Sequence, residues 1–205
     1  MKHIKIMLIL VASLFVGSQK LVAMDIFKSI ENGNLDEVKK IVEDNKSKLK
    51  SKDDYGRTPI FYAAEYGKYN ILDYLIKKGA KVNKADREKS TPLHYAARRM
   101  EDNVKLVALL VNKGAKVNVL DNSKCSPLHY AAVNVNNNIV KFLVDKGAKL
   151  NIPDNQGFTP FHYAVEKLNG KIIQFLIKNG ADIEKKVEKY EKTPLCLASG
   201  AGKVS

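Results

Sequence analysis

His94, His129 and His162 are the residues whose type and spacing first suggest chemistry, each in nearly the same heptapeptide at intervals of 35 and 33 residues. Three imidazoles can hold a catalytic zinc, provided that they converge to about 2.0–2.1 Å from one ion. Cys125 and Cys196 add two thiols, one route to a nucleophile and another to a disulfide. Neither has a histidine and an orienting acid in a recognisable local arrangement. The chain also contains no glycine-rich phosphate loop and no HExxH segment, the motifs from which phosphate binding and zinc proteolysis are read. Whether the histidines converge depends on the elements that carry them.

Those elements repeat. TPIFYAA begins at Thr58, TPLHYAA at Thr91, SPLHYAA at Ser126, TPFHYAV at Thr159 and TPLCLAS at Thr193, at intervals of 33, 35, 33 and 34 residues. A second motif keeps step, with KKGAKVN ending at Asn83, NKGAKVN at Asn118, DKGAKLN at Asn151 and KNGADIE at Glu184. Thr or Ser before Pro reads as an N-cap followed by proline at the first helical position, where its missing N–H costs nothing. Leu93, Ala96 and Ala97 then fall at i, i+3 and i+4, and the small alanines let neighbouring helices approach closely. A second helix follows with paired apolar positions, such as Leu106, Val107, Leu110 and Val111. Gly79, Gly114, Gly147 and Gly180 come after it, where a left-handed C-terminal residue is expected.

On these two linked motifs the chain resembles the ankyrin-repeat family, whose unit of roughly 33 residues carries T-P-L-H-x-A. The resemblance covers Asp25 to about Ala198. It implies an all-α, ankyrin-repeat solenoid of helix–turn–helix units joined by β-hairpin-like loops. In such proteins the loop tips and the inner face of the first helices grip a protein partner. The chain then divides into an N-terminal capping repeat (24–53), four full repeats (54–85, 86–120, 121–153 and 154–187) and a shortened C-terminal repeat (188–205), which is either a minimal cap or a truncation. Two departures from the pattern stand out. Lys89, Lys124 and Glu191 replace the loop glycine seen at Gly56 and Gly157, and a positive φ there costs each of them about 1 kcal/mol. The two extra residues of the second full repeat fall in RRMEDN (Arg98 to Asn103), between its helices, which predicts a local bulge.

Helices stacked about 8–10 Å apart place successive histidines in a row that does not converge on one metal. Thr91, Pro92, His94, His129 and His162 therefore read as parts of the frame, each imidazole bonding the capping Thr or Ser or a loop backbone group. Phe61 and Cys196 hold the same position in other copies. Cys125 and Cys196 lie two repeats apart, roughly 20 Å by the same spacing, whereas a disulfide needs its Cα atoms within about 7 Å. No catalytic residue, metal or cofactor is expected.

At the start of the chain Lys2 and Lys5 precede the apolar run Ile6 to Val16 and a short stretch, GSQKLVA. This is the pattern of a secretory signal peptide, residues 1–23. A spanning helix needs about 20 mostly apolar residues, and Gln19 and Lys20 interrupt this one. Ser18 and Ala23 are both candidate cleavage points, and structured-looking sequence from Asp25 favours Ala23. The expected location is secreted or periplasmic, the expected state a monomer with no stable membrane span after cleavage. The formal net charge is +13, and removing the leader with its three lysines leaves 32 basic residues against 22 acidic. That excess makes nucleic acid or an anionic envelope surface the alternative partner. Lys77, Lys78, Lys113, Lys146 and Lys178, however, complement helix dipoles at second-helix C-termini. Nor are basic residues interleaved with stacking aromatics on one face, as in a nucleic-acid reader.

Comparison of the copies within the chain shows which positions vary while the frame does not. They lie around the loop turn and just after the alanine pair. Tyr55, Arg57, Tyr66, Arg87, Arg98, Arg99, Asn134 and Phe158 are the candidate partner-binding residues. Tyr and Arg are enriched at binding hot spots, and an exposed Phe158 has little other reason to be there. The expected function is a non-catalytic, exported protein-binding scaffold whose partner meets a basic surface near the first two full repeats.

Overall fold

The computed structural model describes residues 25–101, 103–187 and 191–196. The expected leader and most of the shortened last repeat lie outside these residues. Among the described residues ten α-helices run in antiparallel pairs: α1 (Ile26–Glu31) with α2 (Leu35–Asp44), α3 (Pro59–Glu65) with α4 (Tyr69–Lys77), α5 (Pro92–Ala97) with α6 (Val104–Asn112), α7 (Pro127–Val133) with α8 (Asn137–Asp145), and α9 (Pro160–Glu166) with α10 (Gly170–Lys178). A 3₁₀ turn, Lys46–Lys50, follows α2. The first helices pack in the order α1, α3, α5, α7, α9, and the second helices form a parallel layer behind them. This is the expected all-α solenoid. Among the described residues the strand-type pairing is a single bridge, Val187 with Lys192. Each earlier hairpin is closed by two backbone bonds, as from Asp86 N–H to the Ser90 carbonyl at 3.0 Å and from Lys89 N–H to the Asp86 carbonyl at 3.2 Å.

Each full repeat starts its first helix in the same way. Thr58, Thr91, Ser126 and Thr159 are extended, and proline occupies the next position. The apolar faces meet in one continuous core. Leu93, Leu128, Leu72, Leu75, Leu106, Leu110 and Leu143 have no exposed surface, and burying a leucine stabilises by about 1.5–3 kcal/mol. Second helices end at Gly79, Gly114, Gly147 and Gly180 with φ of 102°, 89°, 82° and 90°, the left-handed closure read from the motif. Asn83, Asn118 and Asn151 then tie each unit to the next. Their side chains donate to the carbonyls of Gly114, Gly147 and Gly180 at 2.7, 2.9 and 3.2 Å and accept from the N–H of Lys116, Lys149 and Asp182 at 2.9 Å.

The loop residues without glycine do keep the left-handed conformation: φ is 59° at Lys89, 58° at Lys124 and 51° at Glu191. Two further cases were not foreseen. Val135 (φ 61°) and Leu168 (φ 51°) occupy the turn between paired helices where Gly67 stands in the first full repeat at φ 66°. A β-branched residue there is a steric outlier. The predicted bulge of the second full repeat is present as a helix–helix turn three residues longer than its counterparts, with exposed Met100 in it. Buried Asn136 of the next repeat donates to the Ala97 and Arg99 carbonyls at 3.2 and 2.5 Å and holds the bulge in place.

Candidate protein-binding surface

An aspartate builds each hairpin loop. Asp53, Asp86, Asp121 and Asp154 lie five residues before Thr58, Thr91, Ser126 and Thr159. In each, Oδ1 accepts two backbone N–H groups of its own loop at 2.8–3.0 Å. Oδ2 accepts the phenol nine residues on: Tyr62 at 3.0 Å, Tyr95 at 2.8 Å, and Tyr130 and Tyr163 at 2.6 Å. Burial and the adjacent carboxylate push Tyr62 and Tyr95 up to about 12, so the phenols stay neutral donors. The loops also bond along the array, from Arg87 N–H to the Tyr55 carbonyl, Asn122 to Glu88 and Asn155 to Ser123, each at 2.9 Å. Sequence reasoning missed these aspartates. The recurring Asp-x8-Tyr spacing was the signal that could have found them.

The three histidines serve the same frame. The N–H of Thr91 donates to His94 Nδ1 at 3.0 Å, with the Thr91 hydroxyl 2.9 Å from the same nitrogen. An acceptor Nδ1 puts the ring proton on Nε2, which donates to the Cys125 carbonyl of the next repeat at 3.2 Å. His129 does the same with Ser126 at 3.0 and 2.8 Å and the Ile152 carbonyl at 3.0 Å. His162 bonds Thr159 N–H at 3.1 Å, while its buried Nε2 meets no acceptor at full hydrogen-bond distance among the described residues. Burial holds all three imidazoles below the ordinary histidine range, against the opposing pull of Asp121 on His94 and of Asp154 on His129. Cys125 and Cys196 are not joined by a disulfide. Burial, with Asp121 and Asp154 nearby, pushes the Cys125 thiol up to about 12, far from a reactive thiolate.

The varying residues of the first two full repeats gather around Glu65. Arg57 is half-buried and donates to Asp53 at 2.7 Å, Glu65 at 2.7 Å and the Tyr62 hydroxyl at 3.0 Å. Its guanidinium lies 4.6 Å from the Tyr62 ring centre and 5.2 Å from that of Tyr55. Burial opposes both charges. The Asp53 hydrogen bond and the Glu65 charge nonetheless hold Arg57 above the usual arginine range, and Arg57 and Tyr62 hold the Asp53 carboxyl below its own. Arg98 stacks 4.6 Å over the Tyr95 ring and reaches Glu65 at 3.7 Å. Arg99 donates to the Glu65 carbonyl and pairs with Glu101 at 2.5 Å. Tyr66 leans on Tyr62 and donates to Glu31 of α1 at 3.4 Å. Tyr55 is 65% exposed and Tyr66 41%.

Four of the eight candidates sit differently from the expectation. Arg57 and Arg99 are engaged within the frame, so the surface they were expected to make basic is charge-compensated by Asp53, Glu65 and Glu101. Asn134 donates to the Arg98 carbonyl and helps to hold the bulge. Phe158 is half-buried, stacked 5.5 Å from Tyr163 and 5.5 Å from the His162 ring. Tyr55, Tyr66, Arg87 and Arg98 present exposed surface. Arg87 also covers Gly56, where an added Cβ would lie 3.3 Å from its side chain.

A family model described as "Ankyrin repeats (3 copies)" matches residues 26–121 and 100–187. The chain belongs to the ankyrin-repeat family. Ankyrin repeats mediate protein–protein interaction, and the family is typically a non-catalytic scaffold. Inversin of Gallus gallus is 38% identical over 87 residues, which is 42% of this chain and 8% of that protein. A Caenorhabditis elegans homologue of transient receptor potential cation channel subfamily A member 1 is 33% identical over 73 residues, 36% of this chain and 6% of that protein. An ankyrin repeat protein of Rickettsia bellii is 33% identical over 70 residues, 32% of this chain and 42% of that protein. The matched ankyrin repeats thus span less than a tenth of inversin's length. Among the described residues no helix is long and apolar enough to cross a membrane.

Proposed function

We propose that this chain is an exported, monomeric, non-catalytic scaffold that binds a protein partner through the hairpin tips and the inner first-helix face of its first two full repeats. The observation that carries this reading is an exposed set of neighbouring residues, each with a partner: Tyr55 against Arg57, Tyr66 bonded to Glu31 and Arg98 paired with Glu65. Large aromatic rings and an arginine fixed by packing lose little conformational freedom on binding, which is why such residues dominate hot spots. Arg57 and Arg99 act beneath them as supports. A partner that docks here meets phenol faces and a nearly neutral rim, so its affinity changes little with salt, unlike that of a nucleic acid.

Affinity capture with the chain, beside a Tyr55→Ser/Tyr66→Ser/Arg98→Ala variant of unchanged circular dichroism, tests the placement. The variant is expected to lose the partner. Equal recovery by both proteins moves the interface elsewhere. Export rests on residues 1–23 and predicts an extracytoplasmic protein with an intact mass that begins after Ala23 or Ser18. A cytoplasmic product that keeps Met1 contradicts it.

A further inference from the structure

Between the 3₁₀ turn Lys46–Lys50 and the loop after α4 lies a concavity of about 960 Å³, lined by Lys46, Lys50, Lys52, Lys78, Lys81 and Lys84. No carboxylate lines it. Of the six, only Lys78 has an ion-pair partner among the described residues, Glu43 at 3.7 Å. A smaller hollow of about 450 Å³ shares Lys81 and Lys84 and adds Lys113. Lys78 has a structural reason to be there, at the negative end of the α4 dipole. Lys46 begins the 3₁₀ turn, and Lys52 and Lys84 lie beyond any helix, so that reason does not extend to them. Lysines that line one hollow with no carboxylate among them give it a positive potential.

A second feature points to the same place. Thr58 lines the concavity and is 7% exposed. In the next three repeats the capping hydroxyl lies 2.8–2.9 Å from a histidine nitrogen. Phe61 replaces that histidine here, and the Thr58 side chain makes no capping hydrogen bond. The Thr58 hydroxyl, without a histidine partner, thus belongs to the same lining as the lysines. No arginine is present to fork onto a planar carboxylate, whereas lysines from two stretches of chain suit an anion whose charge is spread in three dimensions.

We propose that this hollow binds a compact polyphosphorylated anion, free or as a lipid headgroup, through Lys50, Lys81, Lys84 and the Thr58 hydroxyl. The site is separate from the Tyr–Arg surface, so either can fail alone. The probe is sodium tripolyphosphate, titrated by calorimetry into the full chain at about 0.15 M ionic strength. Saturable one-to-one binding and a raised thermal midpoint are expected. Lys50→Gln/Lys81→Gln/Lys84→Gln should weaken binding roughly tenfold or more. Lys116→Gln/Lys141→Gln/Lys149→Gln, which removes the same charge elsewhere, should change it less than about twofold. Co-sedimentation with phosphatidylcholine vesicles containing phosphoinositide, abolished by the first variant, assigns the lipid headgroup as a source. Tripolyphosphate binding without co-sedimentation assigns the free anion. Absence of binding to both probes, or equal weakening by the two triple variants, overturns the proposal. So does a DNA oligomer that binds more tightly than tripolyphosphate and is equally sensitive to both variants.

Discussion

The first and fourth full repeats share a frame and differ in what fills it. Just before the Thr–Pro pair the first repeat has Arg57 and the fourth has Phe158. Both cover the tyrosine that bonds the loop aspartate: Arg57 lies 4.6 Å over Tyr62, and Phe158 stacks 5.5 Å from Tyr163. Either one can shield a Tyr–Asp hydrogen bond from water. Only arginine leaves a charge that must be met, and Glu65 meets it together with Asp53. Glu65 in turn attracts Arg98 and its carbonyl holds Arg99, both from the next repeat. The polar, aromatic surface of the N-terminal half therefore grows from one charged substitution. In the fourth repeat a hydrocarbon ring fills the same place, and Phe158 brings no charge to be met there.

The largest expected effect breaks that node. Arg57→Met leaves Asp53, Glu65 and Tyr62 without their shared donor. Removing one partner of a buried pair costs about 3–5 kcal/mol, and partial solvent access reduces this to about 2–3 kcal/mol. Phe158→Met keeps volume and polarity and should cost less than about 1.5 kcal/mol. Urea unfolding of the two variants side by side measures the contrast, and equal losses would remove the distinction drawn between the repeats.

Acid separates the same regions. His94, His129 and His162 have folded pKa values below the unfolded one, so the unfolded chain binds protons first as pH falls. Their contribution to stability is complete above about pH 6.5 and declines below it, until the folded pKa is passed. Each can add a slope of up to about 1.4 kcal/mol per pH unit. The first repeat, with Phe61, adds none. His129→Phe should cost about 1–2 kcal/mol at neutral pH through the lost cap and flatten the decline between about pH 6.5 and 5 by one histidine's share. Unfolding midpoints across that range that are as steep in the variant as in the parent would refute the assignment.

The helix–helix turns give a smaller contrast of opposite sign. Leu168→Gly and Val135→Gly should each stabilise by about 1 kcal/mol, because glycine accepts the left-handed conformation without strain. Gly67→Ala in the first repeat should destabilise by at least that much, since its Cβ would meet the Arg99 guanidinium at 2.8 Å. Smallest of all, Tyr55→Ser and Arg98→Ala should shift stability by no more than about 0.5 kcal/mol while they weaken partner capture. A thermal melt beside the binding assay separates the two effects.

The helices, their caps and the glycine stops were legible because each depends on neighbours within a few residues. The histidine's bond to its capping Thr or Ser was legible for the same reason, being an i, i+3 contact. Its second bond reaches a carbonyl one repeat away, 31 residues on for His94 and 23 for His129, and a residue-type pattern names no carbonyl. Arg99 and Asn134 looked like free surface because their partners, the Glu65 and Arg98 carbonyls, lie 34 and 36 residues back. The lysine hollow escaped for a related reason, since its residues come from two stretches brought together by the turn of one repeat onto the next.

That this chain is a stack follows from its residue types alone: the period of 33 to 35 residues, the Thr–Pro caps and the small-residue faces admit little else, since each is a local rule obeyed several times over. Which varying residues are surface and which are supports was settled by the packing of the repeats. Exposure at the joint between repeats depends on what the next repeat places there, and the lengths and charges of Arg57, Glu65, Arg98 and Arg99 take on their roles only once two units are packed face to face.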